Sequence, residues 1–287
     1  MRGVLPVLTV VAAILALWYG AAVWMNAPWA RDQAARAGST VAGLELVRQT
    51  MAQDRPVLPA PHQVVAELWR STAQTRLASP RNLLNHAWVT LSSTLVGFVL
   101  GSALGVGLAA LIVHDRASAA ALTPWLVASQ TIPILAIAPM IIVVLNAVGV
   151  SGLWPKALIS AYLSFFPVAV GMVAGLRSPE RLELDLMRTW AASRAQTFAK
   201  LRWPAATPFL FASLKVAAAA SLVGAIVGEL PTGAVSGLGA RMLSGSYYGQ
   251  TIQIWSALFM AAFLAAALVA LVTLAERLAL RRMGSRP

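Results

Sequence analysis

The chain of 287 residues contains no cysteine, and this absence excludes disulfide bonds, thiol catalysis and cysteine-ligated metal sites. Histidine is nearly absent as well: His62, His86 and His114 are isolated and have no metal-ligand spacing. The GxxxxGK[ST] nucleotide-binding loop does not occur anywhere in the sequence. No clustered carboxylates or serine–histidine pair accompany a plausible pocket. The sequence therefore offers no support for an enzyme, a catalytic residue, a metal or a bound cofactor, and any use of ATP requires another chain.

Charged residues are also few, at 11% of the chain against 59% hydrophobic residues, and the mean hydropathy is +0.72. Such a chain would not be soluble, whereas separate apolar runs of about 20 residues are typical of transmembrane helices. The net charge of +12 would suggest nucleic acid in a soluble protein. Here the arginines lie beside the apolar runs, so membrane topology and anionic lipid headgroups explain them better, and no nucleic-acid partner is expected.

The apolar runs predict an all-α integral membrane protein with about six transmembrane helices. They cover residues 4–25, 87–113, 119–148, 156–176, 209–230 and 254–274. The third run contains Pro124, Pro133 and Pro139, which are too many for one straight helix. Residues 231–253 are too rich in glycine and serine for a span, and we expect a loop or re-entrant element there.

The first run has two interpretations, an uncleaved span or a signal peptide. Trp18, Tyr19 and Trp24 resemble an interfacial aromatic belt rather than a cleavage region, which favours the span. Between the first two runs, the sequence predicts a short amphipathic helix around residues 44–51 and a proline-entered helix within 58–69.

Two features of the later runs predict how they pack. One face of the second run is nearly lined by four glycines, which allow close approach of a neighbouring helix; these are Gly97, Gly101, Gly105 and Gly107. Lys215 lies near one end of the fifth run, where we expect its amine to reach the membrane surface.

Basic residues beside short loops set the orientation. One side of the membrane collects Arg2, Arg116, the arginines of residues 177–202 and those at the C-terminus, whereas the short loops opposite carry only Lys156 and Arg241. Both termini are therefore predicted to be cytoplasmic. The predicted organisation is an N-terminal transmembrane helix over 1–25, an extracytoplasmic segment over 26–81 and a membrane core over 82–287.

One long polar segment, residues 178–208, interrupts the apolar C-terminal half. Ser178 is a suitable N-cap and Pro179 suits the first helical position. A second short helix is expected from 194 to 203, stopped by Pro204. An apolar ridge repeats every four residues along the first helix and needs a docking partner; it consists of Leu182, Leu186 and Trp190. The alternative interpretation is a basic amphipathic loop that lies on lipid headgroups.

At these residues the sequence resembles the permease subunits of ATP-binding-cassette (ABC) importers, whose cytoplasmic signature is E-A-A, three residues, G, nine residues, then hydrophobic-x-L-P. With Pro204 as the anchor, Asp185 takes the Glu position, Leu186 and Met187 the two Ala positions, and Ala191 the Gly position. Asp185 keeps the charge, but Ala191 departs from the pattern. If that turn needs a positive φ, alanine costs on the order of 1 kcal/mol there.

The nitrate, sulfonate and taurine group of these importers, which also includes transporters of pyrimidine-like and flavin-like compounds, is the most similar. RTWAASRAQTF followed by PAATP resembles that group's R-T-L-G-A-S-R-W-Q-T-F and P-A-A-L-P, and it contains Ala192 and Ser193. ASQTIP and SGLG resemble two further motifs of the group, and the likeness extends more loosely over residues 58–245.

The resemblance implies a multi-pass permease subunit in a bacterial inner membrane, with a cytoplasmic pair of coupling helices within 178–208, between spans four and five. Its expected partners are ABC ATPase subunits, which use the ATP, a second permease subunit, identical or related, a periplasmic binding protein and membrane lipid. The ATPase-coupling residues implied are Leu182, Asp185, Leu186, Trp190, Ala191, Ala192, Ser193 and Pro204. The expected cargo is a small polar solute, either nitrate-, sulfonate- or taurine-like, or a pyrimidine-like heterocycle.

Polar and aromatic side chains in the spans are candidates for the substrate pathway, because a polar group in hydrocarbon must face protein, water or the membrane surface. The candidates are Gln130, Thr131, Asn146, Tyr162, Phe166 and Glu229. Packing and hydrogen bonding between helices explain any one of the first five equally well or better. Glu229 has three interpretations: it faces the pathway, caps a helix junction or lies in the outer interface. An ion-coupled carrier that acts without an ATPase remains the alternative function, although no internal repeat is evident.

Overall fold

The computed structural model describes residues 4–77, 79–231 and 235–283, and every regular element within them is helical. The α-helices are α1 (Val4–Arg36), α2 (Gly43–Met51), α3 (Pro61–Trp69), α4 (Leu83–His114), α5 (Arg116–Ala128), α6 (Ile134–Ala147), α7 (Leu153–Leu176), α8 (Arg181–Thr189), α9 (Arg194–Thr197), α10 (Trp203–Glu229), α11 (Leu238–Tyr247) and α12 (Thr251–Arg282). Two π-helical turns, Arg70–Gln74 and Phe198–Arg202, follow α3 and α9.

Five helical stretches in the described part of the chain are long and apolar enough to cross a membrane. They are Leu5–Arg36, Leu83–His114, Leu153–Leu176, Arg194–Glu229 and Thr251–Arg282. The protein is therefore the all-α integral membrane protein that the sequence predicts.

The third apolar run does not form one span but divides into α5 and α6, of 13 and 14 residues. Residues 129–133 separate the two helices, and Pro133 is the N-cap of α6. The Asp115 carboxylate begins α5, where it accepts hydrogen bonds from the Ser118 hydroxyl at 2.6 Å and the Ala117 amide at 2.6 Å. These bonds, led by that of the Ser118 hydroxyl, lower the pKa of Asp115. The run is not one straight helix, as predicted, but only Pro133 lies at the break, since Pro124 and Pro139 lie inside α5 and α6.

The described residues form two compact units, one from 1–86 with 240–260 and the other from 87–239 with 261–287. The division predicted from the sequence, with boundaries after residues 25 and 81, stays a prediction.

In the first unit, α1 continues to Arg36, well beyond the apolar run that ends at residue 25. The extension is stable because Ala27 and Ala30 are buried against Leu46 of α2. The buried side chain of Asn26 also accepts a hydrogen bond from the amide of Val57 at 2.7 Å. The helices α2 and α3 confirm the predicted amphipathic and proline-entered helices, with starts at residues 43 and 61.

In the second unit, three of the four glycines bring α4 into backbone contact with α7. A Cβ atom at Gly97 would lie 2.4 Å from the Ser160 Cβ atom, and one at Gly101 would lie 2.1 Å from the Ser164 Oγ atom. Gly105 is equally crowded, whereas Gly107 faces no atom within 4 Å. The close packing predicted for this face is confirmed for all but Gly107.

Serine hydroxyls tie α4, α7 and α10 together. The Oγ atoms of Ser160 and Ser221 are 2.8 Å apart, and Ser221 donates to the Thr94 carbonyl at 2.8 Å. All three residues are buried, so these bonds satisfy polar groups that would otherwise be costly inside the unit.

The sequence did not predict the partner of Lys215, and the reach of its amine to the membrane surface stays a prediction. Its Nζ atom lies 2.6 Å from the Glu276 Oε2 atom of α12, and both side chains are partly buried. The ion pair offsets part of the hydration that the partly buried ammonium group loses.

Candidate functional site

The polar segment between the third and fourth long apolar helices begins differently from the prediction. Ser178 is not an N-cap: its hydroxyl donates to the Gly175 carbonyl at 2.8 Å and so completes α7. Helix α8 begins at Arg181 with Glu180 as the N-cap, and the Glu183 carboxylate accepts from the Glu180 amide at 2.9 Å. The start at Arg181 is favoured over a start at Ser178 because the Glu183 carboxylate accepts a hydrogen bond from a backbone amide that lacks a helical partner. The carboxylate also interacts favourably with the helix N-terminus.

The predicted ridge lies on the surface of α8, a helix that buries none of its residues. Leu182, Leu186 and Trp190 are 78%, 50% and 71% exposed. Three large apolar side chains, one every four residues and all exposed, form the kind of patch that marks an interaction surface. We call these three residues the α8 ridge.

Asp185 lies on the same helix and makes an ion pair within it. Its Oδ1 atom accepts from an Arg188 guanidinium nitrogen at 2.6 Å, and both side chains are exposed. Such a surface pair between residues three apart contributes only a few tenths of a kcal/mol, about 0.3–0.5 kcal/mol. The charge of Asp185 is therefore accessible to a partner.

The end of α8 explains why the family pattern has glycine at the position of Ala191. Ala191 adopts φ 51°, the left-handed conformation that glycine favours. The Ala191 amide donates to the Arg188 carbonyl at 2.9 Å, and the Ala192 amide donates to the Met187 carbonyl at 3.0 Å. These two bonds form a Schellman motif with Ala191 at its left-handed position. The turn does need a positive φ, and alanine adopts it at a cost.

Ser193 begins α9 through reciprocal bonds. Its Oγ atom accepts from the Gln196 amide at 3.2 Å, and the Gln196 side chain accepts from the Ser193 amide at 2.8 Å. The prediction that Pro204 stops this helix is wrong, since helical structure continues from Arg194 to Glu229. The π-helical turn at Phe198–Arg202 precedes Pro204, which occupies the first turn of α10, where no intrahelical amide bond is required.

A basic cavity of about 420 Å³ is bordered by the end of α4, α8 and the segment from α9 to Arg202. His114, Arg188, Arg194 and Arg202 are among the residues that line it. Arg202 also donates to the Leu176 carbonyl at 2.8 Å, which fixes it at the end of α7. Leu184 and Arg188 of α8 line the cavity, and none of the three ridge residues does, so the positive charge lies on a different part of α8 from the ridge.

Gln130 and Thr131 lie at the break between α5 and α6, where both side chains are exposed. The Tyr162 hydroxyl donates to the Ser129 carbonyl at the same break. Non-helical backbone at membrane depth is tolerated only where it is covered by protein or faces water. The break therefore combines an irregular backbone with two exposed polar side chains, of which Thr131 donates its hydroxyl to the Ala128 carbonyl at 2.8 Å.

The remaining candidates in the spans are dispersed. Phe166 and Tyr162 are half-buried in an apolar cluster with Phe165 and Ala169, so packing accounts for both rings. Asn146 is exposed in the last turn of α6, near the turn of Gly149. The structure brings Tyr162 next to the break and leaves Phe166 and Asn146 apart from it.

Glu229 is fully buried at the end of α10, with 0% exposure. Its Oε1 atom accepts from the Thr90 hydroxyl at 2.9 Å and its Oε2 atom accepts from the Gly239 amide at 2.8 Å. Thr90 in turn accepts from the Leu238 amide at 2.8 Å. Of the three interpretations, the geometry matches the cap of a helix junction, since the carboxylate joins α4, α10 and the start of α11.

The glycines of the SGLG motif make room for this carboxylate. A Cβ atom at Gly237, which has φ 125°, would lie 2.3 Å from the Glu229 Cδ atom. A Cβ atom at Gly239 would lie 2.5 Å from the Ile226 carbonyl oxygen. We call Glu229, Thr90 and residues 236–239 the Glu229 cradle. Sequence reasoning noticed both the motif and the glutamate but did not connect them.

Lys156 is a further part of the cradle that the sequence did not reveal. It is buried, its ammonium group donates to the Ser236 carbonyl at 3.4 Å, and its charge attracts the Glu229 carboxylate. Among the described residues, no cluster of three or more metal-ligating side chains is placed to hold an ion.

The sequence of this chain is similar to those of known membrane transport proteins. The family described as binding-protein-dependent transport system inner membrane component matches residues 97–285. The riboflavin transport system permease protein RibX of Chloroflexus aurantiacus is 34% identical over 78% of this chain and 80% of its own length. The formylaminopyrimidine transport permease protein ThiX of Halalkalibacterium halodurans is 33% identical over 64% and 68% of the two chains.

A third relative, the putative aliphatic sulfonates transport permease protein SsuC of Bacillus subtilis, is 26% identical over 85% of this chain and 83% of its own length. The match of the family covers the α8 ridge, the α5–α6 break and the Glu229 end of α10. This multi-pass membrane protein belongs to the binding-protein-dependent inner membrane components, the permease subunits of ABC importers.

Proposed function

We propose that this chain forms half of the membrane pathway of an ATP-driven importer and couples solute passage to a separate ATPase through α8 and α9. The observation that carries this proposal is the α8 ridge, since it is apolar, exposed and in the position of the family signature. An apolar ridge in an aqueous phase is stable only when a partner covers it. The ATPase would hold the ATP, and this chain would bind no cofactor of its own.

The coupling residues would make two kinds of contact with the ATPase, apolar packing and a hydrogen bond. Leu182, Leu186 and Trp190 would enter an apolar groove of the ATPase, and Asp185 would accept a hydrogen bond from it. The turn at residues 190–193 would set the angle of α9 against α8. Pro204 would act at a distance, because it lies where the coupling segment becomes the membrane helix α10.

The pathway would pass the break between α5 and α6. Gln130 and Thr131 are the exposed polar candidates at the break, and discontinuous membrane helices are common places for solute contact. Asn146 is exposed at the opposite end of α6, where it would contact the solute at a separate point of the pathway. A second permease subunit, identical or related, would cover the exposed faces of α5 and α6 and complete the pathway.

The charge distribution supports an inner-membrane orientation with both termini and the coupling segment in the cytoplasm. An extracytoplasmic binding protein would then deliver the solute from the opposite side. Single cysteines introduced at Ser193 and Ser236, both exposed in this cysteine-free chain, would test this. Ser193→Cys should react with an impermeant maleimide only after the cytoplasmic side is opened, whereas Ser236→Cys should react in intact cells. The reverse pattern would overturn the orientation.

The cargo would be a small nitrogen heterocycle. The two relatives at 33–34% identity are named for riboflavin and formylaminopyrimidine, whereas the relative at 26% identity is named for sulfonates. Uptake of labelled riboflavin, a formylaminopyrimidine and an aliphatic sulfonate by cells that express the complete importer would test this. Uptake of the sulfonate alone would contradict the heterocycle proposal and leave the importer proposal intact.

Reconstitution tests the importer itself. The chain is purified with its ATPase and binding protein, placed in liposomes and supplied with ATP inside. Solute uptake that requires both ATP and the binding protein is expected. Uptake driven by a proton or sodium gradient without ATP would show that the chain acts as a carrier, and would overturn the proposal.

A further inference from the structure

The first unit contains a polar cleft that the transport proposal does not use. Its volume is about 460 Å³, and it is bordered by α3 with its π-helical turn, the segment before α4, α11 and the start of α12. The charged groups that face it are Glu67, Arg70, Arg81 and Arg241. Three guanidinium groups and one carboxylate give this cleft an excess of two positive charges.

The carboxylate does not satisfy all three arginines. Glu67 is buried and pairs with Arg70 at 2.5 Å. Arg81 and Arg241 make no side-chain hydrogen bond to any of the described residues, although Arg241 is half-buried. Desolvation lowers the pKa of Arg241, with Glu67 opposing the shift and the positive charges of Arg81 and Arg70 adding to it. These two guanidinium groups therefore offer planar donor sets without an acceptor.

Neutral donors accompany the arginines. The side-chain amides of Gln250 and Gln253 line the same cleft and make no hydrogen bond within the described chain. Thr75, at the end of the π-helical turn, lines it as well, but its hydroxyl donates to the Arg70 carbonyl at 2.9 Å. Irregular π-helical turns occur frequently at functional sites, because they redirect side chains from the regular helical positions. Arginine with amide donors is the set that recognises carboxylate, sulfate and phosphate oxygens.

A second cleft of about 380 Å³ shares Glu67, Arg70, Gln250 and Gln253 with the first. It adds Asp54 and Arg55, whose opposite charges leave the excess positive charge unchanged. The anion-attracting end is therefore the one around Arg81 and Arg241.

Exposed aromatic side chains of the same unit indicate the depth of this cleft in the membrane. Trp69, Tyr247 and Tyr248 are all exposed, and they lie directly beside the π-helical turn, on α11 and after α11. Exposed tryptophan and tyrosine near helix ends are typical of the headgroup region. At this depth an oxyanion is available from two sources, the phosphate of an anionic lipid and a free anion in the water.

We infer that this cleft is an anion-binding site, in which Arg81 and Arg241 hold a single phosphate- or sulfate-type group beside Gln250 and Gln253. Glu67 holds Arg70 in place and competes with the anion for the positive charge. The site is separate from the α8 ridge and from the α5–α6 break, and it does not depend on which solute the importer carries.

Sulfate binding to the purified chain in phosphatidylcholine nanodiscs tests the inference, with calorimetry at constant ionic strength as the measurement. Arg81→Gln and Arg241→Gln should each weaken sulfate at least about tenfold, the effect of one charge-assisted hydrogen bond. Arg241→Lys should weaken it less, because the charge remains. Arg48→Gln, an exposed arginine of α2 in the same unit, is the matched control and should bind as the unchanged chain does. Glu67→Gln should bind sulfate more tightly, since it removes the competing carboxylate.

Phosphatidylglycerol nanodiscs distinguish the two sources. If a lipid phosphate is the occupant, this lipid should block sulfate, and mass spectrometry should find less of it retained by the Arg81→Gln and Arg241→Gln variants. If a free anion is the occupant, sulfate affinity should be the same in both lipids. Helical circular dichroism confirms that each variant is folded. The inference is overturned if neither ligand binds saturably, or if the Arg81→Gln and Arg241→Gln variants behave like Arg48→Gln.

Discussion

The Glu229 cradle and the α8 ridge belong to the same compact unit and place their groups in opposite environments. Glu229 is a carboxylate at 0% exposure that accepts hydrogen bonds from a hydroxyl and a backbone amide. The ridge is apolar, yet Leu182 and Trp190 are more than two thirds exposed. Glu229, the charged candidate for the substrate pathway, is therefore buried in the protein, whereas the apolar α8 ridge is exposed on its surface.

This difference separates residues that hold the fold from residues that need a partner. A buried charge persists only where hydrogen bonds replace its hydration, so its surroundings in the chain account for it. No contact within the described chain covers the exposed apolar ridge, so its exposure is explained by a contact with another molecule. We therefore expect changes in the cradle to alter unfolding, and changes in the ridge to alter binding of the ATPase.

The largest effect is expected for Glu229→Ala. The change removes the carboxylate that accepts hydrogen bonds from the Thr90 hydroxyl and the Gly239 amide. Each unsatisfied buried donor costs about 1–3 kcal/mol, so the free energy of unfolding should fall by roughly 2–6 kcal/mol. Denaturation of the purified chain in detergent, followed by circular dichroism, measures this loss.

Glu229→Gln is the control, because it keeps the shape and one acceptor oxygen. We expect a smaller loss of stability, with the segment 235–239 remaining resistant to protease. If both variants unfold like the unchanged chain but transport is lost, Glu229 acts in the pathway and the cradle interpretation is wrong.

The second effect concerns Trp190→Ala. A large aromatic side chain at the centre of an interface contributes about 2–4 kcal/mol to binding, so affinity for the ATPase should fall by that amount. Unfolding of the chain alone should hardly change, because Trp190 is 71% exposed. Trp24→Ala is the matched control, since Trp24 of α1 is 78% exposed and outside the ridge. Equal binding of the ATPase by both variants would favour the alternative that the ridge lies on lipid headgroups.

A smaller effect is expected for Asp185→Ala. Loss of a charge-assisted hydrogen bond to the ATPase would weaken binding by about 1.5–3 kcal/mol. Within the chain, only the exposed pair with Arg188 is lost, so the free energy of unfolding should change by less than about 0.5 kcal/mol. Co-purification of the ATPase and denaturation of the chain alone measure the two values. A change confined to unfolding would show that Asp185 serves only its own helix.

The sequence was sufficient for features that depend on local pattern. Apolar runs predicted the five long helices, the proline content predicted that residues 119–148 do not form one straight helix, and the spacing of Leu182, Leu186 and Trp190 predicted the ridge. These features follow from residues that are neighbours in the chain, and so periodicity and turn chemistry reveal them.

Features that depend on distant residues were not predictable in this way. Thr90 and Glu229 are 139 residues apart in the chain, and Lys215 meets Glu276 only in the folded unit. The same limit applies to the cleft, where Arg81 and Arg241 come together through the fold. The errors at Ser178 and Pro204 had a local cause. At each position the sequence was compatible with both a helix start or end and its continuation, and the structure adopts the arrangement that satisfies more of the backbone groups near the helix end.

The smallest effect, and the most specific to the ridge, is expected for Ala191→Gly. Ala191 has φ 51° at the left-handed position of the Schellman motif, where a side chain costs on the order of 1 kcal/mol. Glycine removes that cost but gains entropy in the unfolded state, so the net stabilisation should be at most about 1 kcal/mol. Ala192→Gly is the matched control. Ala192 takes no left-handed conformation, so its replacement should only destabilise.

Because the turn fixes α9 relative to the α8 ridge, Ala191→Gly should also leave ATPase affinity equal or higher, as measured by co-purification and by solute-stimulated hydrolysis in liposomes. A loss of stability in Ala191→Gly equal to that in Ala192→Gly would show that the turn is not strained, and the departure from the family's glycine would then have no effect on coupling.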